Sequence, residues 1–186
     1  MSKTAVVLIA EGTEEIEAVT PGDVLNRAGV DVTYAAVGPL DPIGGHHVPL
    51  RADCSIDDLG EILFDAIIIP GGGKGAENLH RSDAVSALIK RHHEAGKIIA
   101  AICASPAVVL APLGLLEGKH ATCFPGLERR FSPEVKACDI SVCVDGKIVT
   151  SRGPGTAMEF SLKLVELLMG VQTAIKVGHS MLVQNF

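Results

Sequence analysis

The 186-residue sequence predicts an α/β fold, a mostly parallel sheet with helices on both faces, and three observations carry that expectation. Aliphatic runs of strand length recur at residues 4–10, 65–69 and 97–102, and unbroken runs of this kind mark strands buried on both faces. Helical patterns of roughly 10 to 15 residues alternate with the strand patterns, the order of βαβ units. Hydrophobic residues make up 47% of the chain but aromatics only 3%, so the core must be built from Val, Ile, Leu and Ala.

Residues 4–10 read as the first strand. A helix follows over 14–28, with Thr13 available as N-cap, Glu14 and Glu15 in the first turn and Gly29 as the stop. The next strand spans 30–37, and the Pro, Gly and His of residues 38–49 indicate a loop or small hairpin before 53–59. Strand 65–69 is ended by Pro70-Gly71-Gly72-Gly73, and helices over 75–80 and 83–95 stop at Gly96. Strand 97–102 gives way to Cys103 and a helix over 104–111, and a short strand is expected around 119–123. Asp145-Gly146, between alternating runs in 140–150, predicts a two-residue hairpin turn. Helices over 156–169 and from 173 to about 182 close the chain. No repeat or linker interrupts the pattern, so one domain over 1–186 is expected.

A formal charge of −6 without a basic stripe argues against nucleic acid as a partner. The apolar run at the start is too brief for a signal peptide, and no stretch approaches the ~20 apolar residues of a membrane helix. A soluble, cytoplasmic protein is expected. The five cysteines are Cys54, Cys103, Cys123, Cys138 and Cys143, an odd number without C-x-x-C spacing, so free thiols in a reducing compartment follow. The histidine pairs His46-His47 and His92-His93 lack the i, i+4 spacing that aims two rings at one ion, and neither a metal nor a cofactor is expected.

Three segments converge at the carboxyl ends of the predicted strands, where open α/β sheets bind their ligands. Cys103 lies at a strand-to-helix turn flanked by the small residues Ala101 and Ser105, the pattern of a nucleophile elbow. The field of the following helix is expected to lower its thiol pKa. Glu17 lies one turn into the helix after the first strand. Burial there would raise its pKa and let it carry a proton near neutrality, whereas Glu14 and Glu15 need do no more than favour the helix dipole. The Pro70–Gly73 turn offers backbone N–H donors unobstructed by side chains. Nucleotide binding has little support, because neither G-x-G-x-x-G nor Gly-Lys-Ser/Thr is present.

With Glu11-Gly-Thr-Glu-Glu-Ile-Glu17, Pro70-Gly-Gly-Gly-Lys-Gly-Ala-Glu-Asn-Leu79, Ala-Ala-Ile-Cys103-Ala-Ser-Pro and Thr150-Ser-Arg-Gly-Pro-Gly-Thr156 in register, the chain resembles the ThiJ/PfpI superfamily. Within it, the chain looks like the branch of the parkinsonism-associated protein deglycase and the glutathione-independent glyoxalases. The resemblance implies a flavodoxin-like three-layer sandwich, a homodimer and an oxidation-prone cysteine. It places the nucleophile at Cys103, a protonated carboxyl partner at Glu17 and oxyanion-contacting backbone at Gly72 and Ala104. Arg27, Arg152, Gly153 and Pro154 match positions near the partner subunit. Phe124 stands before Pro125 where some members carry a histidine, which leaves Glu17 as the only proton carrier. The implied activity is conversion of methylglyoxal-type 2-oxoaldehydes, or of early glycation adducts, to 2-hydroxy acids. The alternative is a redox-sensing chaperone or partner-binding module switched by oxidation of Cys103 to its sulfinic acid.

Overall fold

The three aliphatic runs become adjacent parallel strands at the centre of a seven-stranded sheet. The computed structural model describes residues 2–184. Its strands are β1 (Thr4–Ala10), β2 (Asp31–Val37), β3 (Cys54–Ser55), β4 (Ala66–Ile69), β5 (Ile98–Ile102), β6 (His120–Ala121), β7 (Lys136–Ala137), β8 (Val142–Asp145) and β9 (Ile148–Ser151). The main sheet runs β3-β2-β1-β4-β5-β9-β8, parallel except where β8 pairs antiparallel with β9. Its α-helices are α1 (Glu15–Arg27), α2 (Gly73–His80), α3 (Asp83–Glu94), α4 (Ala157–Met169) and α5 (Val171–Ser180). Helix α1 packs on α4 and α4 on α5, while α2 packs on α3 and on the turn at Pro106–Leu110. These helices cover the sheet in the flavodoxin-like arrangement, as expected.

Aliphatic side chains fill the space between the layers. Ile67, Ile68, Ile69, Ile99 and Ile102 are fully buried, each contributing on the order of 1.5–3 kcal/mol of hydrophobic burial. Both ring nitrogens of the buried His92 have partners. His92 accepts from the Phe64 amide at 2.9 Å and meets the Leu88 carbonyl at 2.8 Å, and burial lowers its pKa, so it is held neutral.

Several local expectations are corrected. The helix expected over 104–111 is a π-turn at Pro106–Leu110 followed by a 3-10 turn at Ala111–Leu113. Pro112 has no N–H for the Val108 carbonyl, so an α-helical ladder cannot continue; instead the Ala111 N–H reaches Pro106 O. The N-cap of α1 is Glu14 rather than Thr13, whose hydroxyl accepts from the Ala10 amide at 2.9 Å. The hairpin turn is displaced by one residue: Asp145 pairs with Ile148, leaving Gly146-Lys147 as the loop. Gly146 has φ 64° and Lys147 is outside the left-handed region, the requirement of a turn with glycine first. The strand around 119–123 shrinks to β6, which pairs with β7 in a separate two-stranded sheet. Among the described residues no helix is long and apolar enough to cross a membrane.

Candidate active site

The chain reverses its direction of travel across the sheet between β1 and β4, and the loops leaving β1, β4 and β5 meet at that edge. Each supplies one part of the site. Cys103 follows β5 directly and has φ 65°, one of three non-glycine residues with positive φ among those described. A left-handed L-residue costs roughly 1–2 kcal/mol. It persists because both backbone groups are tied: Cys103 N–H donates to Ser151 O at 2.9 Å, and Cys103 O accepts from the Phe124 amide at 2.7 Å. Ser105 Oγ adds a 2.5 Å bond to Pro70 O. The elbow expected at Cys103 is therefore present, held by strand and loop contacts rather than by a regular helix.

Glu17 comes from α1 and is fully buried. Its Oε2 accepts from the Gly71 amide at 2.7 Å, while Oε1 has no hydrogen-bond partner. Burial pushes its pKa up to about 7; the Gly71 amide and the Cys103 thiol oppose the rise and the nearby Glu14 charge adds to it. The upward direction of this shift is the one expected from the sequence.

The expected lowering of the Cys103 pKa is corrected: the shift runs the other way. Burial, which leaves the residue 9% exposed, is the main cause that pushes the thiol up to about 12. The charge of Glu17 adds to the rise, and the amides of Gly72 and Ala104 oppose it. The helix-field argument presumed a solvated sulfur in front of an α-helix, and neither condition holds. The Glu17 charge raises the thiol's pKa and the thiol's hydrogen bond opposes the rise at the carboxyl, so the two groups are coupled acids. After the first proton leaves, the pair holds a single negative charge, on oxygen or on sulfur. When it sits on sulfur, the Gly72 and Ala104 amides face it and Glu17 carries the remaining proton.

Glycine is required at this edge by close approach. A Cβ on Gly71 would lie 2.7 Å from Cys103 Cβ and 2.8 Å from Glu17 Oε2, and one on Gly72, which has φ 82°, would lie 2.3 Å from Gly12 O. Gly71→Ala is therefore expected to force the thiol and carboxyl apart, lowering thiol reactivity at neutral pH and stability by about 1–3 kcal/mol; alkylation kinetics and urea unfolding of the purified variant check both.

The thiol opens onto a cleft of about 390 Å³ whose walls include Glu14, His46, Phe124, Leu127 and Pro154. Phe124 fills the position where a histidine could have served as base. Gly153 and Arg152 lie beside Phe124 and Pro154 at the adjoining surface, and Arg152 pairs with Asp139. Arg27 is not brought to the cleft; it ends α1 in an exposed pair with Asp23 at 3.0 Å. Two participants escaped the sequence reading, His46 and Glu14; the Gly71 amide belongs to the turn expected to donate, but its partner is Glu17. Glu14 and Glu15 do more than favour a helix field. Both are buried, Glu14 pairs with His46 at 3.0 Å, and Glu15 accepts from the His46 and Val48 amides. Only the clustering of histidine and glycine at 44–47 marked that loop.

A profile described as the DJ-1/PfpI family matches residues 3–167. Protein DJ-1 homolog B of Arabidopsis thaliana is 42% identical over 178 residues, 95% of this chain and 41% of that protein. The chain likewise spans 47% of the Arabidopsis DJ-1 homolog A, so it covers less than half the length of these two relatives. The glutathione-independent glyoxalase DJR-1.2 of Caenorhabditis elegans is 37% identical, with 90% of each chain covered. Among solved structures, Toxoplasma gondii DJ-1 in its oxidized form superposes with a TM-score of 0.95 at 41% identity, covering 98% of this chain and all of that one.

Proposed function

Because this chain belongs to the DJ-1/PfpI family, we propose that it is a cysteine-dependent glyoxalase that needs neither glutathione nor metal for turnover, and that it acts on early glycation adducts by the same first step. The observation that carries this reading is the pairing of a strained, cleft-facing Cys103 with a fully buried Glu17 whose pKa lies near 7. Similarity to a relative named as a glutathione-independent glyoxalase supports it.

The Cys103 sulfur adds to the aldehyde carbon of methylglyoxal, forming a C–S bond and a hemithioacetal whose oxygen takes the proton held by Glu17. The amides of Gly72 and Ala104, which favour the thiolate, would stabilise the developing oxyanion. Glu17, as carboxylate, removes the proton from that carbon to give an enediol and returns it to the neighbouring carbon, leaving a thioester of the 2-hydroxy acid. Water cleaves the thioester, releasing lactate and restoring the thiol. The sum is methylglyoxal plus water to lactate, with no external oxidant or reductant.

The reading includes a homodimer in which Arg27 and the Arg152-Gly153-Pro154 segment lie near the partner subunit, and a cytoplasmic protein with no nucleic-acid or membrane partner. The test of the activity is lactate formation from methylglyoxal by metal-free protein without glutathione. Lactate in multiple turnovers per chain is expected. Its absence, with Cys103 reduced and accessible to alkylation, would overturn the enzymatic reading in favour of a sensor switched by oxidation of Cys103.

A further inference from the structure

On the outer side of the cleft, the start of α1 and the loop over residues 43–49 bring together Glu14, Glu15 and His46, one ligand atom of each lying within 4.8 Å of the others. Both carboxylates are buried, each residue 8% exposed. Glu15 Oε1 accepts from the amides of His46 at 2.8 Å and Val48 at 3.2 Å, whereas Oε2 is buried and has no partner. Glu14 Oε2 meets His46 Nε2 at 3.0 Å. Two adjacent buried carboxylates thus flank His46, Glu14 at its imidazole and Glu15 at its backbone amide, and one Glu15 oxygen is removed from water with nothing in return, an arrangement that is costly until a cation completes it.

We propose that Glu14, Glu15 and His46 form a binding site for a divalent transition cation of zinc's class, separate from the proposed chemistry at Cys103. A dication balances the two carboxylates, and a neutral imidazole supplies the nitrogen. This mixed N/O donor set suits zinc, whereas magnesium and calcium favour oxygen alone. Donor atoms about 2.0–2.2 Å from a zinc ion stand roughly 3–3.5 Å apart. The His46 side chain, 75% exposed, is free to close the present spacing.

The surroundings fit an ion. The amides of His46 and Val48 fix the orientation of the Glu15 carboxylate, the kind of outer contact that ligating carboxylates carry. Gly44 has no room for a side chain against it, since a Cβ would lie 2.2 Å from Oε1. A cavity of about 390 Å³ bordered by Glu14, Gly44, His46 and Lys74 gives access from solvent to the Glu14 and His46 donors. Sequence spacing concealed the set because its ligands come from two segments, neither carrying the i, i+4 pattern. A bound ion would pin the 43–49 loop to α1, and with it the His46 wall of the cleft.

The test is calorimetric titration of Zn²⁺ into Cys103→Ser protein, which lacks the active-site thiol as a competing ligand. One ion per chain is expected, with at least a tenfold weaker association in Cys103→Ser/His46→Ala and in Cys103→Ser/Glu14→Gln. Far-UV circular dichroism of each variant establishes that it is folded, and the surface-exposed His46 is the site least able to disturb the core. A Zn²⁺-dependent rise in melting temperature should appear in Cys103→Ser and vanish with His46→Ala. Absence of zinc binding, unchanged affinity in the folded His46→Ala protein, or equal binding of Mg²⁺ would overturn the proposal. None of these readouts requires catalytic activity, so the result stands apart from that of the lactate assay.

Discussion

Cys103→Ser is expected to reduce lactate formation by roughly 10³-fold or more, since the hydroxyl in the same place is a far weaker nucleophile at neutral pH. The loss should come without a loss of fold. A second pair of substitutions at the same position tests the strain of its backbone. Cys103 has φ 65°, a conformation that glycine adopts freely and other L-residues adopt at a cost of roughly 1–2 kcal/mol. Cys103→Gly should therefore be more stable than Cys103→Ala by about 1 kcal/mol in urea unfolding while remaining inactive. If Cys103→Ala is the more stable of the two, the backbone at this elbow is not strained. The backbone ties to Ser151 and Phe124 are the means by which the fold imposes that conformation on Cys103.

Glu17→Gln is expected to cost about 10²–10⁴-fold in turnover, the usual worth of a positioned proton carrier, and to change how stability depends on pH. The buried Glu17 carboxyl holds its proton up to about 7 against an ordinary value of 4.5. Because the folded state binds this proton more tightly than the unfolded chain does, the group's contribution is fully present below 4.5 and is lost as pH rises through about 7. The loss is on the order of 3 kcal/mol, at about 1.4 kcal/mol per pH unit. Glutamine has the same shape and no such titration, so the urea midpoint of Glu17→Gln should fall less between pH 5 and pH 8 than that of wild type. Parallel curves for the two proteins would mean that Glu17 is already ionised throughout.

Much of this arrangement was legible in the residues, for identifiable reasons. Strands such as Ile98–Ile102 are continuous aliphatics because both faces are buried, and that signal survives in one dimension. Cys103, Glu17 and the glycine turn could be brought together on paper because parallel strands place their carboxyl ends on one edge. What failed depended on local geometry or on contacts between distant segments. The π-turn after Cys103 depends on a single missing N–H at Pro112. The rise in the thiol pKa depends on burial of the sulfur, which no pattern around Cys103 displays. The burial of Glu14 and Glu15 depends on a loop some 30 residues away whose amides fold over them.

The central claim is that Cys103 and Glu17 release one proton between them near neutrality, and the rate of Cys103 alkylation by iodoacetamide as a function of pH tests it most directly. In wild type the rate should rise through an inflection near pH 7 and then remain level past pH 9, because the charge available to the sulfur is set by the first ionisation of the pair. In Glu17→Gln that inflection should disappear. A single inflection near 8.5, the value of an ordinary thiol, at the same pH in both proteins would contradict the account.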